Sequence, residues 1–167
     1  MQDRKSNIHL KKGLRMGVHI HRKNKRRGKE IASMGYGKFN HVRDIFMGCW
    51  NPEFAFLCTN HIFLDEDICF KDANPPLPDE ILVFVSQVDC EGEMSAEEVA
   101  SLVKVLESNE NFMQRNPFPL IQRVLGRCFK SSRDNIWMND PEWREEAHKF
   151  YLMLKDCAKR KCGIEWF

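Results

Sequence analysis

Residues Asn51–Val88 read NPEFAFLCTNHIFLDEDICFKDANPPLPDEILVFVSQV, and their reading decides the fold that the sequence predicts. Three short apolar runs stand out, Phe54–Cys58, Ile62–Phe70 and Ile81–Val85, filled by Phe, Ile, Leu and Val and separated by polar residues. Such runs predict strands. Cys58–His61 is the expected hairpin connection, and Asp65–Asp67 a second turn or the polar edge of one long strand. Ala73–Asp79 contains Pro75, Pro76 and Pro78, which lack a main-chain donor, so this segment cannot pair in a regular ladder. Ile81–Val85 is continuously apolar, the pattern of a central strand covered on both faces.

Helical periodicity flanks this region. Phe39, Val42, Phe46 and Cys49, with Ile45 beside them, predict a helix over 38–50, stopped at Asn51-Pro52 because proline disfavours helical geometry in the residue before it. Ser95 with Glu98 three residues on is a capping box, and Val99, Leu102, Val103 and Leu106 form the apolar stripe behind it. Residues 117–128 predict another helix, with Ile121, Val124, Leu125 and Cys128 inward. Asn139-Asp140-Pro141 announces the last helix, running to about Arg160 with Trp143, Ala147, Phe150, Tyr151, Leu154 and Ala158 on one face. Gly163–Phe167 then reads as a docked hydrophobic tail or an exposed binding peptide. The fold class is therefore α+β: a small antiparallel or mixed sheet packed by about four helices.

Charge divides the chain differently. Residues 1–30 carry eleven Lys or Arg and two acids, a net of +9, whereas residues 31–167 carry a net of −7. The sequence predicts a flexible basic arm, 1–30, on a compact acidic domain, 31–167, with residues before about Arg27 adding little stability. The arm's cations are Lys11, Lys12 and Arg15, then Arg22, Lys23, Lys25, Arg26, Arg27 and Lys29. Clusters of this kind attract nucleic-acid phosphates without regard to sequence, match the pattern read by a nuclear import receptor, or fold back onto the protein's own acids. A second basic patch surrounds Arg123 and Arg127, one helical turn apart and on one face.

Candidate catalytic and metal patterns are sparse. His19-Ile20-His21 has the spacing by which a class of single-strand nucleases aims two strand imidazoles at one metal ion. Its context argues otherwise. Arg22-Lys23-Asn24-Lys25 follows where an apolar strand should continue, and Tyr36, the available nucleophile, sits between glycines. Cys49, Cys58, His61 and Cys69 are a conceivable zinc set, but their spacings fit no compact finger. Asp65, Glu66, Asp67, Asp72, Asp79 and Glu80 offer carboxylates for a hard cation with Lys71 nearby, at no fixed spacing. No nucleophile elbow, dinucleotide fingerprint, phosphate loop or zinc-protease helix is present.

Seven cysteines, an odd number set mostly in apolar patterns, fit reduced thiols better than a disulfide framework. No apolar run approaches the about 20 residues of a membrane-spanning helix, and the first residues lack the apolar core of a signal peptide. These features predict a soluble nuclear or cytoplasmic protein with no cofactor, metal or catalytic residue. Its expected partner is nucleic acid, RNA before DNA, held through phosphate contacts by the cations named above. The alternatives are a protein-interaction adaptor or antagonist whose arm serves localisation, and a cation-dependent nuclease. The arm-plus-body design also suits a viral accessory protein.

Overall fold

Four short stretches pair into one antiparallel sheet, and three of them alternate apolar with polar residues. β1 (Val18–Lys23) is VHIHRK, β2 (Glu30–Met34) EIASM, β3 (Gly92–Met94) GEM and β4 (Gly163–Trp166) GIEW. The strand order is β2-β1-β4-β3. The computed structural model describes residues 17–23, 28–55, 58, 69–88, 90–110, 113 and 141–167. Val18, Ile20, Met94, Ile164 and Trp166 are all buried on one face of the sheet, whereas His19, His21, Glu93 and Glu165 alternate to the other, as a two-residue period requires.

The helices cover the buried face. α1 (Tyr36–Gly48) buries Phe39, Val42, Ile45 and Phe46. α2 (Asp79–Val85) buries Ile81, Phe84 and Val85. α3 (Ala96–Glu107) starts on the expected capping box, with the Glu98 amide donating to Ser95 Oγ at 3.1 Å and the Ser95 amide to Glu98 Oε2 at 2.7 Å. α4 (Pro141–Lys159) buries Ala147, Phe150, Tyr151, Leu154 and Cys157, and packs against both α1 and α3. Phe39, Phe46, Phe84, Phe150 and Trp166 meet in one aromatic cluster with ring centroids 5.6–6.0 Å apart. The fold is α+β with an antiparallel sheet, as the sequence predicts, but the sheet is built from other residues.

Ile81–Val85 is helix, not strand. A five-residue apolar run suits a buried helix as well as a buried strand, and its flanks favour the helix. Pro78 takes the N-cap position, and Asp79 and Glu80 lie in the first turn, where the helix dipole stabilises carboxylates. Residues 52–55 are helical too, as is Cys58. Asn51-Pro52 does follow the end of α1, but it also starts this next turn. Asn51 Oδ1 accepts from the Phe54 amide at 2.9 Å while its Nδ2 donates to the Pro75 carbonyl at 2.9 Å, and Pro52 occupies the first helical position. Of the expected strand at 62–70, residues 62–68 lie outside the described residues, and Phe70–Asp72 is a 3-10 turn.

The boundary expected at residue 30 falls inside the sheet. β1 has a partner on each side: Ile20 faces Ala32 of β2 and Trp166 of β4. Val18 and Ile20 are fully buried, so this segment belongs to the core. Residues 1–16 lie outside the described residues. The expected tail 163–167 is a central strand, because Ile164 and Trp166 find the inner face while main-chain bonds join Phe167 to His19 (3.0 and 3.2 Å).

Candidate nucleic-acid interface

The hairpin of β1 and β2 and the turn from α4 into β4 meet at one end of the sheet. Lys23, the last residue of β1, lies opposite Gly163, the first of β4. Across the hairpin the Arg22 amide donates to the Lys29 carbonyl at 3.3 Å. Lys159, Arg160 and Lys161, which precede the buried Cys162 and then Gly163, are all exposed, as is Lys29. Two basic segments more than a hundred residues apart in sequence thus share one end of the fold.

The local geometry of this end follows from how α4 stops. The Cys162 amide donates to the Cys157 carbonyl at 3.1 Å and the Lys161 amide to the Ala158 carbonyl at 3.0 Å, the paired bonds of a Schellman ending. Lys161 holds the left-handed position of that motif, φ 51°, where glycine is the usual occupant. A side chain there costs about 1–2 kcal/mol. The turn presents three consecutive cations beside the β1–β2 hairpin.

The body's own acids take part of the charge. Arg22 Nη2 pairs with Asp156 Oδ2 at 2.6 Å, and Arg160 Nε reaches both oxygens of the same carboxylate at 3.0 and 2.9 Å. The Arg160 hydrogen bond, followed by the charges of Arg160 and Arg22, holds Asp156 below its ordinary pKa. Lys23 pairs with Glu93 of β3. Arg22 therefore ties β1 to α4, and it contributes to the fold rather than standing out as a free phosphate contact. Lys29, Lys159 and Lys161 have no ion pair among the described residues.

The open face of the sheet has a different character. Glu30, His21, Glu165 and Glu93 fall in one row across the four strands, a mostly acidic line that disfavours phosphate. His19 Nδ1 meets Glu30 Oε2 at 3.1 Å, and His21 Nδ1 meets the Gly28 carbonyl at 3.1 Å. The His21 ring stacks on Phe167 with centroids 4.7 Å apart and planes 15° apart. A strand does carry His19 and His21 on one face, contrary to the sequence expectation, because β4 supplies the pairing that the downstream cations could not. Both Nδ1 atoms have protein partners, and no group of three or more metal-ligating side chains occurs among the described residues.

The remaining sequence candidates are dispersed. Cys49 and Cys58 are each pushed up to about 12, Cys49 by burial and Cys58 by burial and then the Asp44 charge. Cys69 is exposed, and His61 lies outside the described residues. Asp79 and Glu80 serve the first turn of α2, while Asp65, Glu66 and Asp67 lie outside the described residues. So do Lys11, Lys12, Arg15, Lys25, Arg26, Arg27, Arg123 and Arg127. The local sequence pattern places Lys159, Arg160 and Lys161 only at the C-terminal end of a helix, where cations favour its dipole. Their nearness to Lys23 depends on the β1–β4 register, which no local pattern encodes. No helix among the described residues is long and apolar enough to cross a membrane. No protein-family model, curated protein or solved structure matches this chain.

Proposed function

We propose that this is a non-enzymatic nucleic-acid-binding accessory protein of the nucleus or cytoplasm, directed to RNA through phosphate contacts at the cationic end of its sheet. The observation that carries the proposal is the register of β1 against β4, which puts Lys23 opposite Gly163 and so sets Lys29 at the same end of the sheet as Lys159 and Lys161. Exposed lysines converging from two segments suit a polyanion whose charges recur along a backbone, and such contacts release counterions. The acidic row on the open face supports the end of the sheet, not its face, as the contact surface. Lys25, Arg26 and Arg27, in the four-residue connection between Lys23 and Gly28, extend the same proposal, and Arg123 and Arg127 remain candidates for a second contact.

The test is fluorescence anisotropy of single-stranded RNA, single-stranded DNA and duplex RNA over a salt series. If Lys29, Lys159 and Lys161 each neutralise one phosphate, replacing all three with Ala should reduce the log–log salt slope for a single strand by about 2. Thermal stability should hold, because all three side chains are exposed. Failure of the unaltered protein to bind any nucleic acid at low salt would defeat the proposal and favour the protein-interaction alternative. Cation-dependent cleavage of the probe would instead favour the nuclease.

A further inference from the structure

We propose that Cys157 and Cys162 form an oxidisable dithiol, a modification site that closes to an intramolecular disulfide when a low-molecular-weight disulfide acts as oxidant. The two residues occupy the third-last and second-following positions of the Schellman ending of α4, whose side chains are the ones that touch across the motif. The main-chain bond from Cys162 to Cys157 is 3.1 Å, and the Cys162 thiol donates to the Cys157 carbonyl at 3.4 Å. Both residues are free thiols and buried, Cys157 fully and Cys162 to within 5% exposure. No other described pair of cysteines shares a local motif of this kind.

The surroundings assign different roles to the two sulfurs. Burial, then the neighbouring Cys162 thiol, pushes Cys157 up to about 11, while the Arg22 guanidinium acts in the opposite direction. Arg22 Nε is buried without a hydrogen-bond partner, so it is a donor that a thiolate at 157 can satisfy. Cys162 follows the exposed Lys161 and sits at the helix end, where local opening costs less than global unfolding. Cys162 is thus the first sulfur to react and Cys157 the resolving one.

The exchange balances in two steps. The Cys162 thiolate attacks one sulfur of the oxidant RSSR, forming Cys162–S–SR and releasing RS⁻. The released thiolate accepts the Cys157 proton. The Cys157 thiolate then attacks Cys162 Sγ, forming the Cys157–Cys162 bond and releasing a second RS⁻, which is protonated by solvent. The protein loses two protons and two electrons, and RSSR becomes two RSH. The loop that this bond closes contains Ala158, Lys159, Arg160 and Lys161, the cations of the interface proposed above. The disulfide itself does not depend on that interface.

The test treats the full chain with oxidised glutathione, blocks remaining thiols with N-ethylmaleimide, and maps tryptic peptides. Trypsin cuts after Lys155, Lys159 and Lys161, so closure yields Asp156–Lys159 joined to Cys162–Phe167. That cross-linked pair is the expected result, and it should persist in a variant lacking the exposed Cys69 and Cys90. Cys157→Ser should stop at a glutathione adduct on Cys162. Arg22→Lys keeps a cation beside Cys157 and should close at the rate of the unaltered protein, whereas Arg22→Gln should close about threefold more slowly, because the smaller thiolate population is only partly offset by its greater nucleophilicity. A glutathione adduct that persists on Cys162 in the unaltered protein, or pairing of Cys162 with any other cysteine, would overturn the proposal. Equal closure rates for Arg22→Gln and Arg22→Lys would overturn the role given to Arg22.

Discussion

Arg43 is buried in the core, only 7% exposed, and its replacement by Met tests what holds α2 in place. Its Nη2 donates to the carbonyls of Val85 and Gln87 and approaches that of Phe84 at 3.5 Å. These carbonyls lie at the C-terminal end of α2, which ends at Val85 without intrahelical partners for its last turn. The guanidinium also lies over Phe39 and Phe84, 5.7 and 6.0 Å from their centroids. Met keeps the length and apolar stem of Arg but donates nothing. Two charged hydrogen bonds contribute about 1.5 kcal/mol each, and the dipole and ring contacts add roughly 1 kcal/mol. Relief from burying a guanidinium returns about 1 kcal/mol of this. Arg43→Met is therefore expected to cost about 3 kcal/mol, or a fall of roughly 6–12 °C in Tm for a domain of this size. Arg43→Lys restores the charge but not the fork and should recover about half. Urea unfolding followed by tryptophan fluorescence measures both. A loss below about 1 kcal/mol for Arg43→Met would refute the assignment of Arg43 as the clamp on α2, and so would a Lys variant no better than Met.

Three further outcomes are expected. Asn51→Ala removes the cap on residues 52–55 and the donor to Pro75, and should lower stability by about 1–2 kcal/mol in urea unfolding. At Gly92 a Cβ would run into the Trp166 ring, which lies over it in the β3–β4 register; Gly92→Ala should cost about 1–3 kcal/mol and shift Trp166 emission. The raised values of Cys49 and Cys58 set an alkaline limit: an unfolded chain releases these protons near the ordinary 9.0, the folded one only near 12. Stability should therefore be complete below pH 9 and fall as pH rises toward 12, because the unfolded state then binds fewer protons. A Cys49→Ala, Cys58→Ala variant should lose less stability than the unaltered protein between pH about 8.5 and about 11, and an equal loss would show that these thiols are not the cause.

The sequence by itself determined the elements whose signals are local. The capping box of Ser95 and Glu98, the stripe Val99–Leu106 and the proline-started helix at Pro141 each lie within a few residues of chain, where backbone hydrogen bonds and 3.6-residue periodicity act. The charge division between residues 1–30 and the remainder was legible as well. Strand identity was not. VHIHRK and GIEW each offer only two inward apolar residues, too few to outweigh their charges until each supplies the other's hydrogen bonds. Ile81–Val85, apolar enough for either structure, became helix through its flanks and the Arg43 clamp. Only the tertiary structure decided that Arg22 would meet Asp156, 134 residues away, and that Lys159–Lys161 would stand beside the β1–β2 hairpin. Antiparallel register is fixed by which inward side chains fill the common core, and that requirement couples Ile20 to Trp166 across nearly the whole chain.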